Sequence, residues 1–377
     1  MILGIDASNI KSGGGLNHII YLLKFYQNNK NFKKVIIWTS SDIQKYLDNK
    51  KNIIKKTNYF LNKNIVFRIF WQIFLFPFEL RNNGCDILFQ PGATFTFANI
   101  KKVSMCQNLL PFSNSELLKF GFSFFSIKIL ILRFFQTSSF LNSNGIIFLS
   151  SFSKNIISKK INLKKINTII VPHGVDKNFY FKPKVQFEVD KYNHIRPFKF
   201  LYVSDLWPYK NHENILKAFA KLKEKKYPIE IHLVGDIYRP YFKKINLLIK
   251  QLDPEEKYIY FHGKKSNKQL ISYYQNSNGF IFGSSCESYG QIISEAMMSG
   301  LPIICSNKSS MKEILKNNSF YFNPLEINSI KKNIIKFLNS PDIRADNAKN
   351  SQLIVKKLTW EQCSKKSFSF ISNVGSM

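Results

Sequence analysis

Short apolar runs, each followed by a longer segment of helical period, recur along most of this chain and leave few ways to fold it. In the first half they read "MILGID", "KVIIWTS", "GCDILFQ", "KKVSMCQ", "NGIIFLS" and "NTIIVPH". Runs this short and this rich in Ile, Val, Leu and Phe suit strands buried on both faces, and strands joined through helices lie parallel. The expectation is an α/β protein. A second series follows with "FKFLYVS", "IEIHLVG", "YIYFHG", "GFIFGS" and "LPIICS". After the first of these, Ile215, Leu216, Phe219 and Leu222 recur at i, i+1, i+4 and i+7, one face of a helix.

A chain of 377 residues is longer than one core normally supports, and about 150 residues per domain gives two. Between the two series lies "KPKVQFEVDKYNHIRP", with prolines near both ends and no motif. The expected division is an N-terminal domain over 1–182, a linker over 183–197, a C-terminal domain over 198–358 and a terminal helix over 359–377.

Five scattered cysteines without metal-ligand spacing, and an N-terminus lacking a basic segment ahead of an apolar run, fit a reducing cytoplasm. The 55 Lys and Arg against 24 Asp and Glu give a net charge of +31, which draws a chain toward nucleic acid, anionic membrane or phosphorylated substrate. A genome rich in A and T supplies the same lysines without any such partner. The stretches "IFWQIFLFPF" and "FGFSFFSIKILILRFF" are too short, or too interrupted by Lys128 and Arg133, for a span of about twenty residues. They read as buried or interfacial helices.

In open α/β sheets ligands bind at the carboxyl ends of the strands, so the loops there carry the candidate chemistry. The first holds Gly13, Gly14 and Gly15, where backbone N–H groups and a helix N-terminus can approach an anion. The second, "SDLWPYKNHEN", sets Lys210 just before a helix that Asn211 is expected to cap; a lysine there can neutralise a phosphate. The third, "CESYGQIISEAMMSGLP", places Glu287 beside the N–H groups of Ser288, Tyr289 and Gly290, with Glu295 further along one short helix. At ~1.5 Å per residue the two acids stand roughly 10 to 12 Å apart along the axis, near the span from sugar to ribose in a nucleoside-diphosphate sugar.

Taken together, the stretch from Cys286 to Pro302 resembles the E-x7-E segment of glycosyltransferase family 4, and "FLYVSDLWPYKNHENILKAF" resembles that family's donor-phosphate loop. "VPHGVDKNFY", "IHLVGD" and "FHGKKSNKQLISYYQNSNGFIFGS" follow in matching order, so the resemblance covers most of residues 140 to 320. The N-terminal half resembles the family only through "GIDASNIKSGGG" and the α/β alternation. It implies a GT-B fold, two Rossmann-like domains facing across a cleft, and retaining transfer from a nucleotide-sugar donor. By matching position, Lys210 would hold the donor diphosphate, Glu295 the ribose and Glu287 the transferred sugar, with Gly14 and Gly15 near the phosphates or acceptor. Two departures stand out. Many relatives carry Arg where this chain has Asp205, which leaves the second cation to Arg239, Lys264 or another group. Many also carry a His on the acceptor side, where this chain reads "VSMCQNLLPF" and offers Gln107 and Asn108.

The costly event in such a transfer is departure of the nucleoside diphosphate, which positive charge on the leaving phosphates accelerates. The sequence holds no Asp-x-Asp motif to bridge them through a divalent ion, so no metal and no cofactor is expected. The expected partners are a nucleotide-sugar donor, a saccharide or lipid-linked saccharide acceptor of lipopolysaccharide or capsule synthesis, and an anionic membrane on the cytoplasmic side. Two rivals share features with this reading: a nucleotide-sugar epimerase would bind the same donor, and a nucleic-acid-binding protein would use the charge, although no recognised nucleic-acid module is present.

Overall fold

The computed structural model describes residues 1–27 and 31–377. They divide into two compact units, the first comprising Met1–Leu117, Phe122–Gly174 and Leu358–Met377, the second Leu118–Gly121 and Val175–Lys357.

The first unit is built on seven parallel strands: β1 (Ile2–Asp6), β2 (Lys34–Trp38), β3 (Ile53–Lys56), β4 (Ile87–Gln90), β5 (Lys101–Cys106), β6 (Gly145–Phe148) and β7 (Asn167–Ile170), in the order β3-β2-β1-β4-β5-β6-β7. The order reverses between β1 and β4, so their carboxyl ends splay apart there. Residues in register share a face of a parallel pair. Gly4, Leu88 and Lys102 are in register across β1, β4 and β5, and Ser104 lies two residues on from Lys102. On this face Leu88 packs with Trp71, Phe76 and Leu80 of the helical stretch 65–82, and Ser104 Oγ meets Ser139 Oγ of helix Phe124–Leu141 at 2.8 Å. A side chain at Gly4 would meet Leu80 at 2.9 Å, so that helix lies close over β1.

The opposite face takes helix Gly13–Lys24 and the last helix, Trp360–Ser376. Tyr21 stacks on Trp360 at 4.9 Å, and Ser364 Oγ donates to Leu22 O at 2.8 Å. Gly145 leaves room for Phe370 and Val374, whose atoms stand 3.0 and 2.9 Å from where its Cβ would be. The terminal helix expected as a separate element is thus part of the first unit, because Trp360, Phe368 and Ile371 bury there.

The second unit has six parallel strands: β8 (Phe198–Val203), β9 (Ile229–Val234), β10 (Ile259–Phe261), β11 (Gly279–Phe282), β12 (Ile303–Ser306) and β13 (Phe320–Phe322), in the order β10-β9-β8-β11-β12-β13. Its switch point lies between β8 and β11. Helix His212–Glu224 buries Ile215, Leu216, Phe219 and Leu222, the face read from the sequence. Residues 183–197 do not span freely between units as a linker would. The buried guanidinium of Arg344 donates to Gln186 Oε1 at 3.0 Å and Phe187 O at 2.5 Å, and Lys184 Nζ donates to Ser277 O at 2.8 Å. The first two bonds satisfy an amide and a backbone oxygen of the segment and the third ties its own lysine to Ser277, which is why it belongs to the second unit.

Helix Phe124–Leu141 runs six residues past the apolar stretch singled out in the sequence. Its 18 residues, with mean hydropathy 1.3, reach the length and composition of a membrane span, and 22% of them are buried.

Candidate active site

The loops after β8 and β11 flank the switch point of the second unit, and they bring Lys210 and Glu287 together. The strand-like course of the first loop ends in a 3-10 turn, Pro208–Lys210, that leads into helix His212–Glu224. Lys210 is buried there, its ammonium in an ion pair with Glu287 Oε1 and 5.1 and 5.2 Å from the ring centres of Tyr209 and Phe282. It is not the solvated lysine such a position usually carries. Removing an ammonium from water costs several kcal/mol, and the carboxylate and the ring faces offset that cost.

Asn211 does not cap the helix through its side chain. It takes a left-handed conformation at φ 55°, and its amide donates instead to Gly283 O at 2.8 Å, Tyr209 O at 3.1 Å and Ser285 Oγ at 3.1 Å. Asn is among the few non-glycine residues that take this conformation readily, and here it ties the loop after β8 to the loop after β11. Tyr202 reinforces the tie: its hydroxyl donates to Lys210 O and accepts from Gly283 N at 3.2 Å. The ring of His212 stacks on Tyr202 at 4.5 Å and its Nε2 bonds Ser204 Oγ at 3.1 Å. Burial, with Lys210 nearby, pushes the His212 imidazole down to about 3, so at neutral pH it is an uncharged packing group. None of Tyr202, Asn211 or His212 was expected as part of the site. Their signal is local, in "YVS" and "KNH", and says nothing of what the side chains reach.

Glu287 and Glu295 do not share one helix. The helix spans Gln291–Met298, so Glu287 lies in the loop ahead of it and the spacing estimated along a single axis does not apply. Gly290 forms the N-cap at φ 85°, where a Cβ would also meet Met311 Cε at 2.7 Å. Glycine is required there on both counts. Ser310 Oγ donates to Tyr289 O at 2.9 Å, Ser294 Oγ donates to the Tyr289 hydroxyl at 3.2 Å, and Ser288 and Tyr289 are both buried. Glu295 accepts from the buried Tyr274 hydroxyl at its Oε2, 3.1 Å away. Burial pushes this carboxyl up to about 7; the Tyr274 hydrogen bond acts in the other direction and Asp176 nearby adds to the rise.

Asp205 has a structural task. Its Oδ1 accepts the Asp236 N–H at 2.9 Å, and Leu206 N donates to Asp236 O at 2.8 Å, so the loops after β8 and β9 run on side by side beyond the sheet. Gly235 permits this approach, since a Cβ there would lie 2.0 Å from Ser204 O. Lys264 spends its charge on Asp236, 2.9 Å away, and Arg239 is exposed at the start of helix Arg239–Leu252.

In the first unit the three glycines do not precede the helix; Gly13, at φ 67°, Gly14 and Gly15 form its first turn. Gly15 faces Gln107, whose Oε1 would be 3.2 Å from a Cβ placed there. Asn108 Oδ1 accepts Leu110 N–H at 3.0 Å, which makes it a turn-forming residue. At this unit's switch point stands a group that the sequence reading missed. The buried Asp6 carboxylate accepts from Ser8 Oγ and Thr94 Oγ1, each at 2.5 Å, and Gln72 Nε2 donates to Ser8 Oγ at 2.6 Å. Among the described residues no cluster of three or more His, Cys, Asp or Glu side chains could hold a metal ion.

Residues 186–353 match the family model of glycosyl transferases group 1. The chain is 25% identical over 166 residues to O-antigen chain mannosyltransferase B of Escherichia coli, an alignment covering 43% of this chain and 42% of that protein. The chain therefore spans less than half the length of this curated relative. Among solved structures, HepE of Anabaena in complex with UDP and glucose superposes with a TM-score of 0.71 at 17% identity, over 99% of this chain and 100% of that one. Sucrose-phosphate synthase of Thermosynechococcus elongatus gives 0.75 at 15% identity, over 98% of each. The chain thus has the GT-B fold, and the part of it over residues 186–353 is similar to the glycosyl transferases group 1.

Proposed function

We propose that this chain transfers a hexose from a nucleoside-diphosphate sugar to a saccharide acceptor with retention of configuration, as a step in building a surface polysaccharide such as O-antigen. The observation that carries the reading is the Lys210–Glu287 pair at the switch point of the second unit, a buried cation with one carboxylate partner that an entering diphosphate can replace. The bond from the anomeric carbon to the diphosphate oxygen breaks, the acceptor oxygen bonds that carbon, and the acceptor's proton passes to the departing phosphate. Lys210 stabilises the negative charge growing on that phosphate, and Glu287, released from the lysine, accepts hydroxyls of the transferred sugar. Glu295 accepts the ribose hydroxyls, with Ser288, Tyr289 and Gly290 between the two acids. Gly14 and Gly15 border the phosphates or acceptor, and Gln107 and Asn108 the acceptor.

The likeness to an O-antigen mannosyltransferase and to a fold solved with UDP and glucose supports the substrate class. With Lys210 supplying the charge, the transfer requires no metal. A lipid-linked acceptor would bring the protein to the inner face of the plasma membrane, held peripherally. A thermal-shift panel of UDP-, GDP- and ADP-sugars tests donor binding, because a ligand of the folded state raises its stability by RT ln(1 + [L]/Kd). Proton NMR of the product from the donor that shifts the melting curve then reads the anomeric configuration. No shift with any of them, or a product of inverted configuration, would overturn the proposal.

A further inference from the structure

The helical stretch 65–82 and helix Phe124–Leu141 lie on the same face of the first unit's sheet, one over β1 and the other over β5. Only β4 lies between those two strands in the sheet. Each turns an apolar stripe to solvent. On the second helix Ile129, Gln136 and Phe140 face the sheet, while Phe124, Ile127, Ile131 and Phe134 recur on the opposite side and stay open, Ile131 51% and Phe134 68% exposed. On the first, Val66, Phe70, Phe74 and Phe78 repeat every four residues outward, Phe74 56% and Phe78 66% exposed. A spacing of four drifts around an α-helix, and the wider π-helical turn at Trp71–Leu75 counters the drift.

Within these two stretches the exposed charges have one sign. The carboxylate within 60–82 is Glu79, and it points inward, accepting from Trp38 Nε1 at 2.5 Å, Trp71 Nε1 at 2.7 Å and Asn58 Nδ2 at 3.0 Å. Helix Phe124–Leu141 contains no acid at all, and Lys128 is exposed beside its stripe. Lys63 and Arg81 are exposed at the ends of the other stretch.

We propose that the two helices form one platform that lies on an anionic lipid surface, the stripes entering the apolar boundary and the lysines meeting the headgroups. A second copy of the chain fits less well, because both surfaces would bring cations together on a protein of net charge +31. Although helix Phe124–Leu141 has the length of a span, Ser139 and Phe140 fix it to the sheet, so it lies in the plane of the membrane. The inference rests on the proposed function only in that a lipid-linked acceptor gives the attachment its use.

Sedimentation of the full chain with vesicles of phosphatidylcholine, alone or with phosphatidylglycerol, tests it. The wild type should pellet with the anionic vesicles, less so at high salt. The pairs Phe74→Ser with Phe78→Ser, and Ile127→Ser with Ile131→Ser, should each lower the partition coefficient at least tenfold with an unchanged melting temperature. Lys128→Glu, at an exposed site outside the core, should lower it too, and serves if a pair proves unstable. Wild type left in the supernatant, equal pelleting with both lipids, or either pair pelleting like wild type would overturn the platform. So would a concentration-dependent dimer that both pairs dissolve. The nucleotide-sugar melting shift is read on the same proteins: vesicle binding without any shift would refute the proposed function alone, and a shift without vesicle binding the platform alone.

Discussion

Glu295 gives the site a dependence on pH. Its carboxyl titrates at about 7, against an ordinary value of 4.5, because it is buried beside Tyr274 with Asp176 adding negative charge. About a tenth of the molecules hold it ionised at pH 6 and about nine-tenths at pH 8. If the ionised form accepts the two ribose hydroxyls, the apparent association constant follows that fraction and rises roughly tenfold from pH 6 to pH 8. The same shift acts on the unliganded fold with the opposite sign. A carboxyl raised in the native state favours folding below about pH 4.5, and the advantage is lost as the pH climbs through about 7, amounting to ~3 kcal/mol at most. Glu295→Gln is neutral throughout, so its affinity should be flat with pH and its unliganded stability should gain on wild type between pH 5 and 8. Calorimetry should use the nucleotide sugar, since the terminal phosphate of a free diphosphate itself titrates near pH 6. A wild-type affinity constant between pH 6 and 8, or the same rise in Glu295→Gln, would refute the reasoning.

The ion pair predicts an asymmetry: Lys210→Met should lower kcat by a hundredfold or more and leave the partly buried Glu287 without its cation, at a cost of about 1–3 kcal/mol in stability. Glu287→Gln should keep or strengthen affinity for the free nucleoside diphosphate, because Lys210 no longer has a competing carboxylate, while turnover falls; weaker diphosphate binding by this variant would contradict the assignment. Initial rates in EDTA should equal those in magnesium, and collapse on chelation with recovery on adding the metal would show that Lys210 does not suffice. Arg344→Leu should release residues 183–197 from the second unit and lower its melting temperature, and limited proteolysis within that segment reads the release directly.

Eleven of the thirteen strands among the described residues were legible as apolar runs, and the two that were not, β3 and β13, are short strands at sheet edges. An edge strand buries less, so β3 is written "IIKK" and β13 "FYF", too brief or too polar to stand out. Lys210 and Glu287 were legible because loops at strand ends gather at a switch point whatever their sequence. Their pairing was not legible, since it depends on Asn211 and Tyr202 joining two loops that are far apart in the chain. The extended stretch 183–197 misled for a related reason: its anchor, Arg344, lies far along the sequence and reads there as an ordinary helical cation.

The last helix closes a sheet whose first strand opens the chain. During synthesis the strands of the first unit leave the ribosome early, yet the face that receives Trp360, Phe368 and Ile371 stays open until the helix Trp360–Ser376 emerges. The second unit, nearly continuous from Val175 to Lys357, has all its strands and crossovers by then. The first unit is therefore completed only after the second, and in the interval its apolar face is open to chaperones or to another nascent chain. A stop codon before Leu358 would leave it in that state permanently.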